Sequence, residues 1–362
     1  VRNVINGWPY QHLLKPVFFR FDPETVHDFM VSSGAMMGRL RITSSLAEGM
    51  FSYDNDMLRQ NVLGMEFRNP IGLSGGFDKE GVLTRIMPNV GFGFMEVGSI
   101  TAQSSPGNAK PRLWRYPKEK SILVHLGLNN EGVEAIAFRL EHEKFVIPVG
   151  TNIAMTNKPD AFSVEEGIAD YATSFRRLAN IGSYFTINIS CPNTYQGEPF
   201  SDPAVLDQLF SSLDSIPTSK PVFLKLSPDL SASEVDAILE VVQNHRLHGF
   251  VCSNLTHDLS RAKDALRFQG GLSGKAQWEL SNRQLAYLAK RSNGKCTLIG
   301  CGGVFSAEDA YRKIKLGASL VELITGMIYE GPSLIATINQ GLVRLLRKDG
   351  FHTITEAVGK GL

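Results

Sequence analysis

The chain has 362 residues, enough for two average domains or for one large barrel with an appendage. Its 37 Lys and Arg residues almost balance its 36 Asp and Glu residues, so no net basic field indicates a nucleic-acid partner. Hydrophobic residues make up 43% and charged residues 20%, which excludes a disordered, collagenous or disulfide-rich chain.

Neither a membrane span nor a secretory signal is predicted. No apolar run reaches the ~18 residues of a spanning helix, and the first residues lack the apolar centre of a signal peptide. The four cysteines, none of them in a CxxC pair, fit a reducing compartment. The chain begins with Val1, which is compatible with a trimmed targeting segment.

The first predicted element is a helical segment over residues 1–50. Aromatic and methionine side chains stand among few charges between residues 11 and 49, which predicts one or two short amphipathic helices. Asp22 and Pro23 suit a helix opening, as N-cap and first helical residue. Two roles stay open: packing on the main domain, or a helix pair that enters a bilayer or encloses an apolar ligand.

Residues 51–362 are predicted to form a TIM (β/α)8 barrel. Short apolar segments alternate with longer helical patterns, which is typical of a parallel sheet, and eight units over about 270 residues favour a closed barrel over a doubly wound sheet. The predicted strands are 71–76, 92–99, 145–154, 184–190, 221–227, 249–254, 296–303 and 319–327. The clearest predicted helices are 160–182, 231–246 and 306–317.

A phosphate site is predicted after the last two strands. Gly302-Gly303 and Thr325-Gly326 end these strands, and glycines let backbone N–H groups approach a phosphate. The loops after strands 7 and 8 are the common phosphate site of such barrels. Helix starts are predicted at Ser306 and Pro332, and residues 270–274 are expected to add backbone donors.

Lys225 lies within the apolar segment 221–227. A buried ammonium group is costly unless it meets an anion or a polarisable ring, so Lys225 is predicted to face a ligand in the barrel mouth. A cation there stabilises a reduced flavin ring. The alternative is a lysine that extends its charge to solvent at the sheet end.

The segment Asn188–Thr194 follows a predicted strand and places amides around a thiol. Amide side chains both donate and accept hydrogen bonds, so Asn188 and Asn193 suit a planar heterocycle or a carboxylate. Cys191 between them is a candidate general base or acid, because a thiol ionises more readily than a serine hydroxyl. A small buried apolar residue is the alternative role for Cys191.

Motifs along nearly the whole chain resemble those of the dihydroorotate dehydrogenase family. They include FDPETVHDF (21–29), NPIGLSGGFDKEG (69–81), FGFMEVGSIT (92–101), NISCPNT (188–194), VFLKLSPDLS (222–231), IGCGGV (299–304) and EGPSLIA (330–336). The amino-terminal segment and the order of the motifs resemble class 2, whose membrane-associated members bind FMN and pass electrons to a quinone.

The resemblance implies a set of site residues. The residues that would contact FMN are Lys79, Ser99, Asn152, Lys225, Gly274, Gly303 and Thr325. Asn188, Asn193, Asn254 and Lys79 would bind the substrate, Cys191 would act as catalytic base, and Arg115 would lie near a quinone tunnel. No metal is expected, and the expected location is peripheral to the cytoplasmic or inner mitochondrial membrane, or otherwise cytoplasmic.

Three positions depart from the class 2 pattern. Cys191 stands where class 2 members have serine and class 1 members cysteine, Val124 replaces a substrate-binding asparagine, and Leu255 replaces a hydroxyl residue. Dihydroorotate is therefore expected to bind poorly unless His125 or Ser253 supplies the missing donors. Three functions are considered: dihydroorotate oxidation with a quinone acceptor in pyrimidine biosynthesis, FMN-dependent chemistry on a less polar ring, and flavin binding without catalysis.

Overall fold

The computed structural model describes residues 7–159, 163–191, 193–194 and 197–362. All eight predicted strands are present and form a closed parallel barrel in sequential order, which confirms the TIM barrel. The barrel strands are β1 Ile71–Asp78, β2 Phe94–Ile100, β3 Val149–Ile153, β4 Tyr184–Asn188, β5 Val222–Leu226, β6 Gly249–Cys252, β7 Thr297–Cys301 and β8 Leu320–Leu323.

Two predicted strands were too long. The apolar pattern at 145–154 includes an irregular segment before β3, and the pattern at 319–327 continues beyond β8 into the helix Thr325–Glu330. A continuous apolar run does not distinguish a buried strand from a buried helical turn, which explains the second error. The helix after the predicted start at Pro332 runs from Leu334 to Asp349.

Helices surround the barrel, as predicted. The predicted helices correspond to Val164–Arg177, Ala232–Val242 and Ala307–Lys315, and the first predicted start, residue 160, lies outside the described residues. Ser163 and Ser231 close capping boxes with glutamates three residues later, which explains where two of these helices begin. The other longer outer helices are Val133–Leu140, Pro203–Asp214, Trp278–Ser292 and Leu334–Asp349. The shorter helical elements are Asp56–Leu58, Met87–Val90, Pro199–Ser201, Leu259–Arg261, Lys263–Arg267, Lys275–Gln277, Thr325–Glu330 and Ile354–Ala357.

An aromatic cluster fills the amino-terminal end of the barrel. Phe94, Tyr184 and Phe223 are fully buried there, and Phe67 from an antiparallel hairpin covers them. The hairpin strands are Gln60–Val62 and Met65–Phe67. Gly72 lies against the Phe94 ring, and a Cβ atom would overlap that ring. The base of the barrel is therefore a packed core, and the opposite end is left for a ligand.

A small antiparallel sheet, which the sequence did not predict, lies outside the barrel. Its strands are Leu113–Tyr116, Ser121–Val124 and Gly271–Gly274, with Ser121–Val124 in the middle. The third strand has the sequence GLSG, which lacks the apolar alternation that marks a strand. This sheet pairs Val124 with Gly271 and brings the loop 270–274 to the barrel mouth.

The amino-terminal segment is helical, as predicted. After short helical turns at Tyr10–Leu14 and Lys15–Phe18, helix α1 spans Pro23–Arg39 and helix α2 spans Arg41–Phe51. The Asp22 side chain accepts a hydrogen bond from the backbone N–H of Thr25 at 2.9 Å, which confirms the predicted N-cap. The division of the chain into residues 1–50 and 51–362 stays a prediction.

A buried ion pair joins α1 to the segment that precedes the small sheet. Arg112 Nη2 lies 2.8 Å from Glu24 Oε1, and both side chains are buried. Burial opposes the charged form of Glu24, but hydrogen bonds from Arg112 and Lys110 outweigh it and lower the pKa of this carboxyl group. The ion pair therefore stabilises the fold above the ordinary carboxyl pKa of 4.5, and this contribution is lost as the pH falls through the lowered value.

We expect Glu24→Ala to lower the free energy of unfolding by about 3 kcal/mol at neutral pH, because Arg112 stays buried without its carboxylate. Guanidinium denaturation measures this change. The matched control, Glu48→Ala on the exposed side of α2, should change it by less than about 0.5 kcal/mol. Equal effects of the two substitutions would contradict the stabilising role of the Glu24 ion pair.

Candidate active site

One cavity of about 410 Å³ extends from the carboxyl ends of the barrel strands to α1 and α2. Its barrel end is polar and is lined by Lys79, Ser99, Asn188, Cys191, Asn193, Lys225, Asn254 and Thr325. Its other end is apolar and is lined by Val26, Met30, Met37, Ala47, Phe51, Leu83 and Met87. This volume is in the usual range for small-molecule sites, and the two ends suit ligands of different polarity.

A second cavity of about 70 Å³ adjoins the polar end and has a glycine-rich wall. Gly302-Gly303 and Thr325-Gly326 meet there, and Gly274 completes the wall. A Cβ atom on Gly303 would lie 2.8 Å from Trp278 Cβ, and one on Gly274 would overlap the carbonyl oxygen of Lys120. Only glycine fits at these two positions, so backbone groups face the cavity directly, as the phosphate prediction requires.

Lys225 lies on β5 and lines both cavities. Its ammonium group donates a hydrogen bond to Ser74 Oγ at 3.1 Å. Burial opposes the charged form, but the buried carboxyl group of Glu96 contributes to the opposite effect, and the pKa of Lys225 is raised. Lys225 is therefore a fixed positive charge at the junction of the two cavities.

Ser99 and Asn152 belong to one buried hydrogen-bond chain. Ser99 Oγ donates to Asn152 Oδ1 at 2.5 Å, and Asn152 Nδ2 donates to Glu96 Oε2 at 2.8 Å. Ser99 lines the large cavity, whereas Asn152 is not among the residues that line either cavity. Asn152 thus orients Ser99 from behind, and the direct cofactor contact that the resemblance implied for Asn152 stays a prediction.

Three predicted amide side chains meet at the polar end. Asn254 Nδ2 donates to Asn188 Oδ1 at 3.0 Å, and Asn188 Nδ2 donates to Ser99 Oγ at 2.9 Å. The side-chain oxygens of Asn193 and of Asn129, which also lines the cavity, are buried without a hydrogen-bond partner among the described residues. Such open acceptors fit the N–H groups of a polar ring.

Cys191 follows β4 by three residues and lines the cavity beside these amides. Burial raises the pKa of its thiol to about 12, although the backbone N–H of Asn193 and the charge of Lys225 favour the thiolate. The thiol is therefore protonated at neutral pH and is a strong base once it ionises. Pro192, the next residue of the motif, lies outside the described residues.

Lys79 follows β1 directly and lines the large cavity. Burial and the nearby Arg112 lower the pKa of Lys79 to about 8. His27 of α1, which the sequence reasoning did not select, also lines this cavity, and its Nε2 lies 2.9 Å from the carbonyl oxygen of Phe77. The position of His27 in the motif FDPETVHDF was the available signal.

Arg115 lies where the small sheet meets the amino-terminal segment. Its guanidinium group donates to the carbonyl oxygens of Phe18 and Phe21 at 3.3 and 3.0 Å, and it lies 4.6 Å from the centre of the Phe19 ring. Arg115 also lines the large cavity. The structure therefore brings this predicted acceptor-side residue to the segment that closes the cavity.

Val124 and Leu255 both line the large cavity. Neither proposed substitute supplies a donor: His125 is not among the cavity-lining residues, and the Ser253 hydroxyl already donates to Gln284 Oε1 at 2.6 Å. The polar end thus has amides and a thiol on one part of its wall and two aliphatic side chains on another.

The sequence reasoning also missed two acidic residues, Glu96 on β2 and Glu322 on β8, which are completely buried. Their position was the available signal, because a charged residue inside an apolar strand needs a partner. Among such residues, only Lys225 was selected from the sequence.

The parallel barrel, with a polar pocket and a glycine-lined extension at the carboxyl ends of its strands, defines the class: a (β/α)8-barrel enzyme with a small-molecule site. The family model described as Dihydroorotate dehydrogenase matches residues 57–346. The chain belongs to the dihydroorotate dehydrogenase family, whose members are generally flavin-dependent oxidoreductases.

Individual relatives agree with this assignment. A Sulfurimonas denitrificans protein named dihydroorotate dehydrogenase (quinone) is 39% identical over 352 residues, covering 96% of this chain and 97% of the relative. A Christiangramia forsetii protein of the same name is 38% identical over 339 residues, covering 92% and 98%. The crystal structure of Eimeria tenella DHODH in complex with ferulenol has a TM-score of 0.84 and 28% identity, and covers 94% of this chain and 95% of that one.

Proposed function

We propose that the protein oxidises dihydroorotate to orotate in pyrimidine biosynthesis, with FMN as its flavin and a quinone as electron acceptor. The observation that carries this proposal is the single cavity that joins a polar site around Cys191 to an apolar passage under α1 and α2. The relatives named dihydroorotate dehydrogenase (quinone) support it. Nothing in the comparisons favours the two alternatives, a less polar ring substrate or flavin binding without catalysis.

The residues present fit FMN. The glycine-lined cavity has room for one phosphate group, and Lys225 and Ser99 line the adjoining polar end, where a flavin ring would lie. We assign direct contacts to Lys79, Ser99, Lys225, Gly274, Gly303 and Thr325, and a supporting contact to Asn152 through Ser99. When bound, FMN supplies the group that accepts two electrons from the substrate.

The substrate is held by Lys79, Asn188, Asn193 and Asn254, whose amide and ammonium groups match a ring that carries a carboxylate. Cys191 removes the C5 proton of dihydroorotate as general base. Lys225 would provide a fixed positive charge toward the flavin, whose ring gains negative charge on reduction. The buried amide chain behind Ser99 holds this arrangement rigid.

The apolar end of the cavity accommodates the quinone. Met30, Met37 and Phe51 line it, and Arg115 and His27 offer polar groups to a quinone carbonyl at its walls. Because α1 and α2 form this end, electrons leave on the side where the amino-terminal segment lies.

The exposed surface of the amino-terminal segment supports peripheral membrane contact. Large exposed hydrophobic side chains on it are Trp8, Leu13, Leu14, Val17, Phe21, Phe29, Met30, Met36, Met37, Leu40, Ile42 and Leu46. Within the described ranges, no helix is long and apolar enough to cross a membrane. We propose that these side chains enter one leaflet of the cytoplasmic or inner mitochondrial membrane, from which a hydrophobic quinone reaches the cavity.

We expect the triple variant Phe29→Ser, Met36→Ser and Ile42→Ser to bind phospholipid vesicles at least about tenfold more weakly, because three apolar side chains no longer enter the bilayer. Vesicle co-sedimentation measures the binding. Phe138→Ser removes an equally exposed aromatic ring from a barrel helix and is the matched control, with no expected effect. If the triple variant binds vesicles as tightly as the parent, the assigned membrane surface is wrong.

The cofactor is tested separately by releasing the flavin from purified protein and identifying it. We expect FMN, because the glycine-lined cavity has space for one phosphate and no GxGxxG motif indicates a second nucleotide half. A flavin-free protein that cannot be reconstituted with FMN would overturn the proposed function.

A further inference from the structure

The barrel interior below the polar cavity contains an unusual group of charges. Glu96 on β2 and Glu322 on β8 are fully buried, and Lys225 on β5 is 4% exposed. The buried groups near Glu322 also include Ser74 on β1, Cys301 on β7 and Tyr184 on β4. Two acidic groups therefore share one cation in a region without solvent.

The hydrogen bonds of Glu96 are those of a carboxylate. Its Oε1 accepts from Thr186 Oγ1 at 2.5 Å, and its Oε2 accepts from Asn152 Nδ2 at 2.8 Å and from the backbone N–H of Gly75 at 3.3 Å. All three groups are donors. A carboxylate accepts at both oxygens, so these three donors match Glu96 in that form.

Glu322 is in a different position. Neither of its side-chain oxygens has a well-formed hydrogen bond within the described residues, and its polar neighbours are Ser74 and Glu96. The Ser74 hydroxyl accepts a hydrogen bond from Lys225 and has one O–H to turn toward Glu322. A second carboxylate cannot donate to Glu322, so an ionised Glu322 would be a buried charge with at most one donor beside another carboxylate, which is strongly unfavourable.

We propose that Glu322 retains a proton and donates it in a hydrogen bond to Glu96, so that the buried pair carries one negative charge, which balances Lys225. A protonated Glu322 gives Glu96 a further hydrogen-bond donor, and it removes the second negative charge from the buried pair. Burial raises the pKa of Cys301 and of Tyr184, which keeps both neutral. Together, these buried groups then carry one positive and one negative charge.

A protonated Glu322 also influences the charge near the flavin. This part of the inference rests on the proposed function. Lys225 faces the flavin site, and a second ionised carboxylate nearby would offset its charge and disfavour the reduced, anionic ring. Glu322 is thus a positioning residue. Because it holds a proton, it does not cancel the positive charge that Lys225 presents to the flavin. Burial and Glu96 both raise the pKa of Glu322, and Lys225 opposes them.

The test compares Glu322→Gln with Glu96→Gln in the full-length protein. The glutamine amide reproduces a neutral donor, so Glu322→Gln should raise the Tm at alkaline pH by about 2 °C or more. The sign follows from linkage: a carboxyl group with a raised folded-state pKa destabilises the fold increasingly above its ordinary value of 4.5, and the variant lacks this effect. Glu96→Gln should lower the Tm, because it removes the carboxylate that accepts hydrogen bonds from three donors.

The infrared spectrum tests the proton directly and requires no variant to fold. At about pH 8 the parent should show the C=O band of a protonated carboxylic acid, since Asp78, whose pKa is raised by burial only to about 6, is then ionised. Glu322→Gln should remove that band and leave the midpoint potential of the bound flavin unchanged at neutral pH. A parent without the band, or equal losses of Tm in both variants, would overturn the assignment. Neither readout depends on dihydroorotate turnover, so failure of the proposed function would be seen separately.

Discussion

Replacing Cys191 with alanine is expected to slow flavin reduction by dihydroorotate by about 10²-fold or more while FMN remains bound, since general-base catalysis contributes on that scale. Cys191→Ser should fall between the parent and the alanine variant, because a hydroxyl is a weaker acid than a thiol and still provides an acceptor. Anaerobic stopped-flow absorbance of the flavin measures all three rates.

The pH dependence of this step follows from the burial of the thiol. With the pKa of Cys191 raised to about 12, the thiolate fraction grows tenfold per pH unit through the neutral range, so the reduction rate should rise with pH. The serine variant should require a still higher pH. Cys296→Ala, at a half-buried cysteine outside both cavities, is the matched control and should leave the rate unchanged. An alanine variant at Cys191 as fast as this control would show that Cys191 only packs.

The second large effect concerns the aliphatic part of the pocket wall. Val124 and Leu255 line the cavity but cannot form side-chain hydrogen bonds with a polar ring. A hydrogen bond that involves a charged group contributes roughly 1.5–3 kcal/mol, so two of them contribute at least about 3 kcal/mol, or roughly 10²-fold in rate. We expect Val124→Asn combined with Leu255→Thr to increase kcat/KM for dihydroorotate by about that factor.

The matched control keeps both positions apolar, with Val124→Ile and Leu255→Met, and should give no increase. If the polar double variant is no faster than the parent, other residues complete the recognition of dihydroorotate, and the open side-chain oxygen of Asn129 is the first to examine. If a less polar ring reduces the parent and dihydroorotate does not, the assigned substrate is wrong.

The barrel could be predicted from the sequence because parallel strands are buried on both faces and therefore occur as short apolar runs between helical patterns. The glycine-lined cavity was predictable for a related reason: Gly302-Gly303 and Thr325-Gly326 end the last two such runs, and the parallel pairing of these two strands makes their ends neighbours. The sheet that places Val124 against Gly271 depends on pairing across about 150 residues of chain, and no local pattern indicates it.

Side-chain roles were harder to predict than positions. Lys225 stood out because a lone charge in an apolar strand needs a partner, but its proximity to Glu96 and Glu322 arises across the interior of the closed barrel, between strands that are not neighbours. The resemblance implied a cofactor contact for Asn152, but its hydrogen bond with Ser99 could not be predicted, because no pattern in the order of residues indicates it. Likewise, the side-chain oxygen of Asn193 lacks a hydrogen-bond partner because of the residues that surround it in the fold, which the sequence does not reveal.

In the proposed function, one cavity serves a polar reductant at the barrel end and a quinone at the helical end. Double-mixing stopped-flow absorbance tests it most directly: the anaerobic holoenzyme is first mixed with dihydroorotate and then with a hydrophobic quinone. We expect rapid bleaching of the flavin in the first mixing and recovery of its absorbance in the second. A flavin that dihydroorotate fails to bleach, or that is reoxidised by NAD or fumarate but not by a quinone, would contradict it.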